Sequence, residues 1–65
     1  MEIIINGEAK TITPMSVTEL LALLDIDPRR VAVELNLDIL PKGDYQTTQL
    51  SGGDRLEIVH FVGGG

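Results

Sequence analysis

Few residues of this chain are equipped for chemistry, and their spacing excludes most of what they could do. His60 is the single imidazole and the natural candidate for a general base. No serine, cysteine or paired carboxylate beside it in sequence completes a catalytic pair. A histidine near a strand end reads first as a packing or capping residue. The acidic residues Asp25, Asp27, Glu34, Asp38, Asp44, Asp54 and Glu57 could in principle hold a cation, but their spacing fits no ion-binding loop. A solvated acidic face is the expectation. Lys10 and Lys42 follow no phosphate-cradling loop, and neither G-x-S-x-G nor H-E-x-x-H occurs. With no cysteine there is no thiol nucleophile, disulfide or thiolate zinc site. The expected roster is therefore no catalytic residue and no metal ligand.

What remains is the ending, "HFVGGG". Gly63, Gly64 and Gly65 bring no packing and lose much entropy when ordered, so they cannot extend a sheet. Three extended residues reach roughly 10 Å. Lacking Cβ atoms, they would pass a narrow channel and leave the Gly65 carboxylate open to another protein's active site. The competing reading is a frayed or appended glycine tail. Composition alone favours the latter.

The elements that must carry this ending are legible. "EIIING" is β-branched and closes on Asn6-Gly7, a pair suited to a type I′ hairpin; "EAKTIT" resumes beyond it. Pro14 breaks that ladder. "SVTELLALLDI" predicts a helix. Ser16 and Glu19 have capping-box spacing, and Val17, Leu20, Leu21 and Leu24 form one apolar stripe. Leu23 lies off the stripe. Asp25, Asp27 and Pro28 end the helix. "RVAVELN" alternates, with Val31, Val33 and Leu35 on one side and Ala32, Glu34 and Asn36 on the other. "NLD" is a turn and "ILP" a short edge strand closed by Pro41. "KGDYQTTQL" lacks a period and reads as loop with room for one helical turn, anchored by Leu50. After the "SGGD" turn, "RLEIVHFV" predicts a last strand. Leu56, Ile58 and His60 share one face; Arg55, Glu57, Val59 and Phe61 share the other.

The order is ββ-α-β-(β)-β, an α+β layout with a mixed sheet of four to five strands and one main helix across one face. The strands joined through the helix are expected to run parallel. Facing the helix stripe are Ile3, Ile5, Val31, Val33, Leu35, Leu56 and Ile58. Residues 1–62 form the domain and 63–65 a glycine tail.

A chain of 65 residues holds one small domain. Its 43% hydrophobic content is too high for a disordered chain. The formal charge of −5 disfavours nucleic acid and anionic membranes and favours a basic protein partner. No run is long or apolar enough to span a bilayer or to serve as a signal peptide, so a cytoplasmic location is expected. If the helix covers the Leu56 face, then Val59 and Phe61, beside Ala32, look outward. They form either a docking patch or a floor beneath residues 37–50.

"RVAVELN" followed by "ILPK", and above all "SGGDRLEIVHFVGGG", resemble the ThiS family of thiamine-biosynthesis sulfur carriers, within the ubiquitin-like β-grasp superfamily. The resemblance runs from Met1 to Gly65. It departs at Leu37, where the family often has glycine, and at Pro14-Met15-Ser16, where glycine is also common. The resemblance implies that an E1-like adenylyltransferase uses ATP and magnesium to convert the Gly65 carboxylate to an acyl-adenylate. A sulfur donor system then yields a C-terminal thiocarboxylate, whose sulfur is delivered at thiazole synthase. It further implies a carrier rather than an enzyme, with no cofactor of its own. Gly63, Gly64 and Gly65 would thread into the partner, and Val59 and Phe61 become docking residues. Sulfur carriers for molybdopterin or cysteine synthesis, or an unreactive ubiquitin-like binding module, are the alternatives.

Overall fold

The computed structural model describes residues 1–62. Asn6 and Gly7 both take left-handed backbone angles (φ 49° and 84°), the geometry a two-residue type I′ turn requires. They join β1 (Glu2–Ile5) to β2 (Glu8–Thr11) as an antiparallel hairpin with Ile5 opposite Glu8. The helix α1 (Val17–Leu23) begins on the expected box. Ser16 Oγ accepts the Glu19 N–H at 3.1 Å, and Glu19 Oε1 accepts the Ser16 N–H at 3.0 Å. It ends by a Schellman closure with Asp25 in the left-handed region at φ 60°. Ile26 N–H reaches back to the Leu21 carbonyl, and Asp25 N–H to that of Ala22. Asp27 is extended, as expected before proline, and its carboxylate caps a 3-10 turn over Pro28–Arg30. Pro28 thus opens a new turn besides stopping the helix.

That turn delivers the chain into β3 (Val31–Leu35), which pairs with the three-residue edge strand β4 (Asp38–Leu40). The unpatterned segment that follows contains one 3-10 turn, Lys42–Asp44. The last strand, β5 (Arg55–His60), enters between β1 and β3. The sheet order is β2-β1-β5-β3-β4, with β1 and β5 parallel and every other neighbouring pair antiparallel. It follows that β2 and β3, the strands on either side of the helix, run in the same direction as expected. They are not neighbours, because β1 and β5 lie between them.

The core is the one the alternation implies. Ile3, Ile5, Val31, Val33, Leu56 and Ile58 are buried beneath Val17, Leu20 and Leu21 of the helix. Leu35 and Leu24 are half-buried at its margin, and Leu23 is exposed. Leu50 is buried as expected, its N–H bonded to the Met15 carbonyl. Tyr45 is also buried, from the segment that shows no period, and its carbonyl accepts the Thr18 N–H at the helix start. Burial raises the Tyr45 hydroxyl above its ordinary pKa, with the nearby Val33 backbone acting in the opposite direction. At about 1.5–3 kcal/mol per fully buried aliphatic side chain, this core is the principal stabilising term.

Two expectations need correction. The last strand ends at His60, not at Val62. Its partner β3 begins at Val31, opposite His60, and the residues before Val31 are coiled into the 3-10 turn. Only the Arg30 carbonyl is left to continue the ladder, and Phe61 N–H donates to it at 2.9 Å. His60 falls on the Leu56–Ile58 side by register yet is exposed, because it occupies the strand's final position.

Candidate functional site

The geometry that matters is how β5 is held and what it presents as it leaves the sheet. β1 turns away after Ile5, so β5 loses that neighbour halfway along. The Asn6 side chain replaces it. Asn6 Oδ1 accepts the Ile58 N–H at 2.7 Å, and Nδ2 donates to the Ile58 carbonyl at 3.1 Å. A side-chain amide has one donor group and one acceptor in the same relation as a peptide, so it stands in for the missing strand. At the other end, Asn36 Oδ1 accepts the Arg55 N–H at 2.9 Å and its Nδ2 donates to Asp54 at 3.1 Å. Both asparagines adopt positive φ, which this residue tolerates better than most.

So held, β5 alternates. Leu56 and Ile58 point into the core; Arg55, Glu57 and Val59 point to the open face of the sheet. Val59 and Phe61 are each 58% exposed, and residues 37–50 do not close over them. That resolves the choice between covered floor and accessible surface in favour of the latter. Register puts half-buried Ala32 directly opposite Val59. It also adds a residue the sequence reading did not single out, Ile39, opposite Glu34 on the same face and 77% exposed. A three-residue strand places a single residue on that face, too few to show a pattern.

Among these apolar side chains, Glu34 and Glu57 sit directly opposite one another. Like charges in that relation destabilise a sheet. Among the described residues neither carboxylate makes an ion pair. The face therefore offers apolar contact with Glu34 and Glu57 unpaired in its midst, and Arg55 two residues along the same strand.

Most of the other cations gather elsewhere. Arg29, Arg30 and Lys42, three of the chain's five basic residues, lie where β5 departs. Arg29 grips Asp27 through both carboxylate oxygens, at 3.1 and 2.8 Å. The hydrogen bonds from Arg29 hold the Asp27 carboxyl at about 2, against an ordinary value of 3.8. Among the described residues no group of three or more His, Cys, Asp or Glu could hold a metal ion, and no helix is long and apolar enough to cross a membrane. Gly63, Gly64 and Gly65, singled out in the sequence for their open carboxylate, lie outside the described residues.

A mixed five-stranded sheet grasping one helix, with its last strand central and running out past an open, partly apolar face, defines a ubiquitin-like β-grasp protein. The chain belongs to the ThiS family, whose model matches residues 3–65. It is similar to the crystal structure of the thiamine biosynthesis protein ThiS from Geobacter metallireducens, with a TM-score of 0.87 and 35% identity over the whole of both chains. It is 42% identical over 50 residues to the sulfur carrier protein ThiS of Bacillus subtilis, covering 77% of this chain and 76% of that protein. It is also 48% identical over 66 residues to a thiazole synthase from Paramagnetospirillum magneticum, covering 100% of this chain but only 20% of that protein. The chain thus spans about a fifth of the length of that relative.

Proposed function

We propose that this chain is a sulfur carrier for formation of the thiazole moiety of thiamine, acting as carrier and co-substrate rather than as an enzyme. The observation that carries the reading is the family match, which runs through residue 65 and so includes the three glycines. The chemistry requires activation. A bare carboxylate is a poor electrophile, and attaching AMP to the Gly65 carboxylate supplies a leaving group. An E1-like adenylyltransferase would provide ATP, magnesium and the catalytic groups. Hydrosulfide-level sulfur from the donor system then attacks the acyl carbon, the bond to AMP breaks, and a thiocarboxylate remains. Delivery at a thiazole synthase is supported by the relative that carries a counterpart of this whole chain within 20% of its length. Tethering carrier to synthase keeps the local concentration of the sulfur donor high. Gly63 to Gly65 thread into the partner, Val59 and Phe61 dock, and the reaction belongs in the cytoplasm, where ATP is supplied.

Incubation with an adenylating partner, ATP and a sulfur source should exchange one oxygen for sulfur at the C-terminus, read by intact mass. Deleting Gly65 should abolish the exchange without unfolding the domain. An unchanged mass with a partner shown to be competent on another carrier would overturn the reading. Transfer of the sulfur to a molybdopterin or cysteine precursor, and not to thiazole, would reassign the pathway.

A further inference from the structure

Lys42 is exposed, yet its ammonium is anchored to the protein rather than left to solvent alone. Its ammonium donates to the Val31 carbonyl at 2.6 Å and to the Pro28 carbonyl at 2.8 Å. It lies 5.8 Å from the centre of the Tyr45 ring and 5.3 Å from that of Phe61. Those are the only two aromatic residues in the chain. One is buried in the core and the other is exposed at the end of β5. Although ten acidic residues are present, Lys42 makes no salt bridge among the described residues. Charge-assisted bonds to carbonyls, with two ring faces nearby, solvate the ammonium instead.

The carbonyls it holds bracket the one that matters. Arg30 lies between Pro28 and Val31, and its carbonyl accepts the Phe61 N–H at 2.9 Å, the last ladder bond before the chain departs. Lys42 therefore acts on Phe61 twice, once through the ring and once by fixing the segment that takes its amide. We propose that Lys42 is a positioning residue that sets where and in which direction the C-terminal segment leaves the sheet. Its consequence for catalysis rests on the carrier reading above. A carboxylate presented to a distant active site must arrive in line with its reaction partner, and small misplacements lower the turnover of the bound complex. Val59 and Ile39 on the open face do not depend on Lys42 and only the Phe61 contact moves with it, so loss of Lys42 should lower kcat more than it raises KM.

Lys42→Met keeps the apolar stem and removes the ammonium. Hydrogen exchange on the isolated full chain should show the Phe61 amide losing protection by about tenfold, while the Leu56 and Ile58 amides keep theirs. With an adenylating partner, kcat for thiocarboxylate formation should fall about tenfold or more, with KM rising by a clearly smaller factor. Lys42→Arg, which retains a cation with several donors, should recover most of the loss. Unchanged Phe61 protection, or a raised KM with kcat intact, would overturn the proposal. Should Lys42→Met fail to fold, Lys42→Gln removes the charge with a polar side chain of similar length, and a Phe61 amide as protected as in the parent chain would overturn it equally. If the parent chain gives no thiocarboxylate, the carrier reading fails, and the exchange result still decides the positioning role.

Discussion

The two faces of β5 differ in almost everything except the strand they share. Leu56 and Ile58 are closed beneath the helix and packed among Ile3, Val31 and Val33. One residue away on either side, Glu57 and Val59 stand open, with Ile39 and Glu34 beside them. Leu56 and Ile58 on the closed face meet only apolar neighbours, and the polar residue of that side, His60, lies beyond them at the exposed strand end. The open face keeps a like-charge pair and exposed aliphatic side chains, features that lower the stability of the isolated domain. A strand optimised only for folding would carry polar, charge-matched residues there. The contrast teaches that the closed face is accounted for by the fold of this chain, whereas the open face carries features that folding alone does not require.

Substitutions can break that division. The largest effect is expected at Leu56→Ala, which opens a cavity in the fully closed face and should destabilise the domain by about 2–5 kcal/mol. In a domain this small that is a large fraction of the total. Denaturant unfolding should show it, while the folded fraction binds a partner as before. Val59→Asp should do the reverse. The unfolding midpoint should shift by no more than about 1 kcal/mol in free energy, because Val59 is exposed. Affinity for the adenylating partner should fall about tenfold or more, since the change removes an apolar contact and adds a third acid to the Glu34–Glu57 pair. Calorimetry that finds affinity intact would show that the open face is not where the partner sits.

The closed face was legible in the sequence because local rules and global packing agree there. The Ser16–Glu19 box, the Asn6-Gly7 turn and the Val31–Leu35 alternation each specify their element within a few residues. The last strand's alternation likewise marked Val59 and Phe61 before their exposure was known. What escaped depends on contacts distant in sequence. Tyr45 enters the core from a segment with no period, placed by hydrogen bonds to the start of the helix. Ile39 joins the open face only through the register of β4 on β3. Lys42 takes its meaning from Pro28, Val31 and Phe61, which no spacing rule connects. The reading of the terminal glycines as a reactive tail rests on the resemblance, since their composition alone favours a frayed end.

Leu37 draws the finest distinction, because it too is an exposed apolar residue, as Val59 and Ile39 are on the open face. Leu37 is 82% exposed, more than Val59 or Ile39, yet it sits in the β3–β4 turn at the opposite end of β5 from the departing chain. Its φ of 75° is one that a branched side chain adopts only under strain, whereas Gly7 takes φ 84° in the equivalent place of the first hairpin. If exposure alone marked a docking residue, Leu37 would be one. The like-charge pair, the register with Val59 and the approach to the C-terminal segment are all missing there. Leu37→Gly should therefore relieve strain and stabilise the domain by about 1 kcal/mol, read as a higher unfolding midpoint. Partner affinity should stay within about twofold. A clear loss of affinity would extend the docking surface to both ends of the sheet and dissolve the distinction between its faces. A loss of stability would mean that the Leu37 side chain packs more closely over Asn36, Gly53 and Arg55 than its exposure suggests.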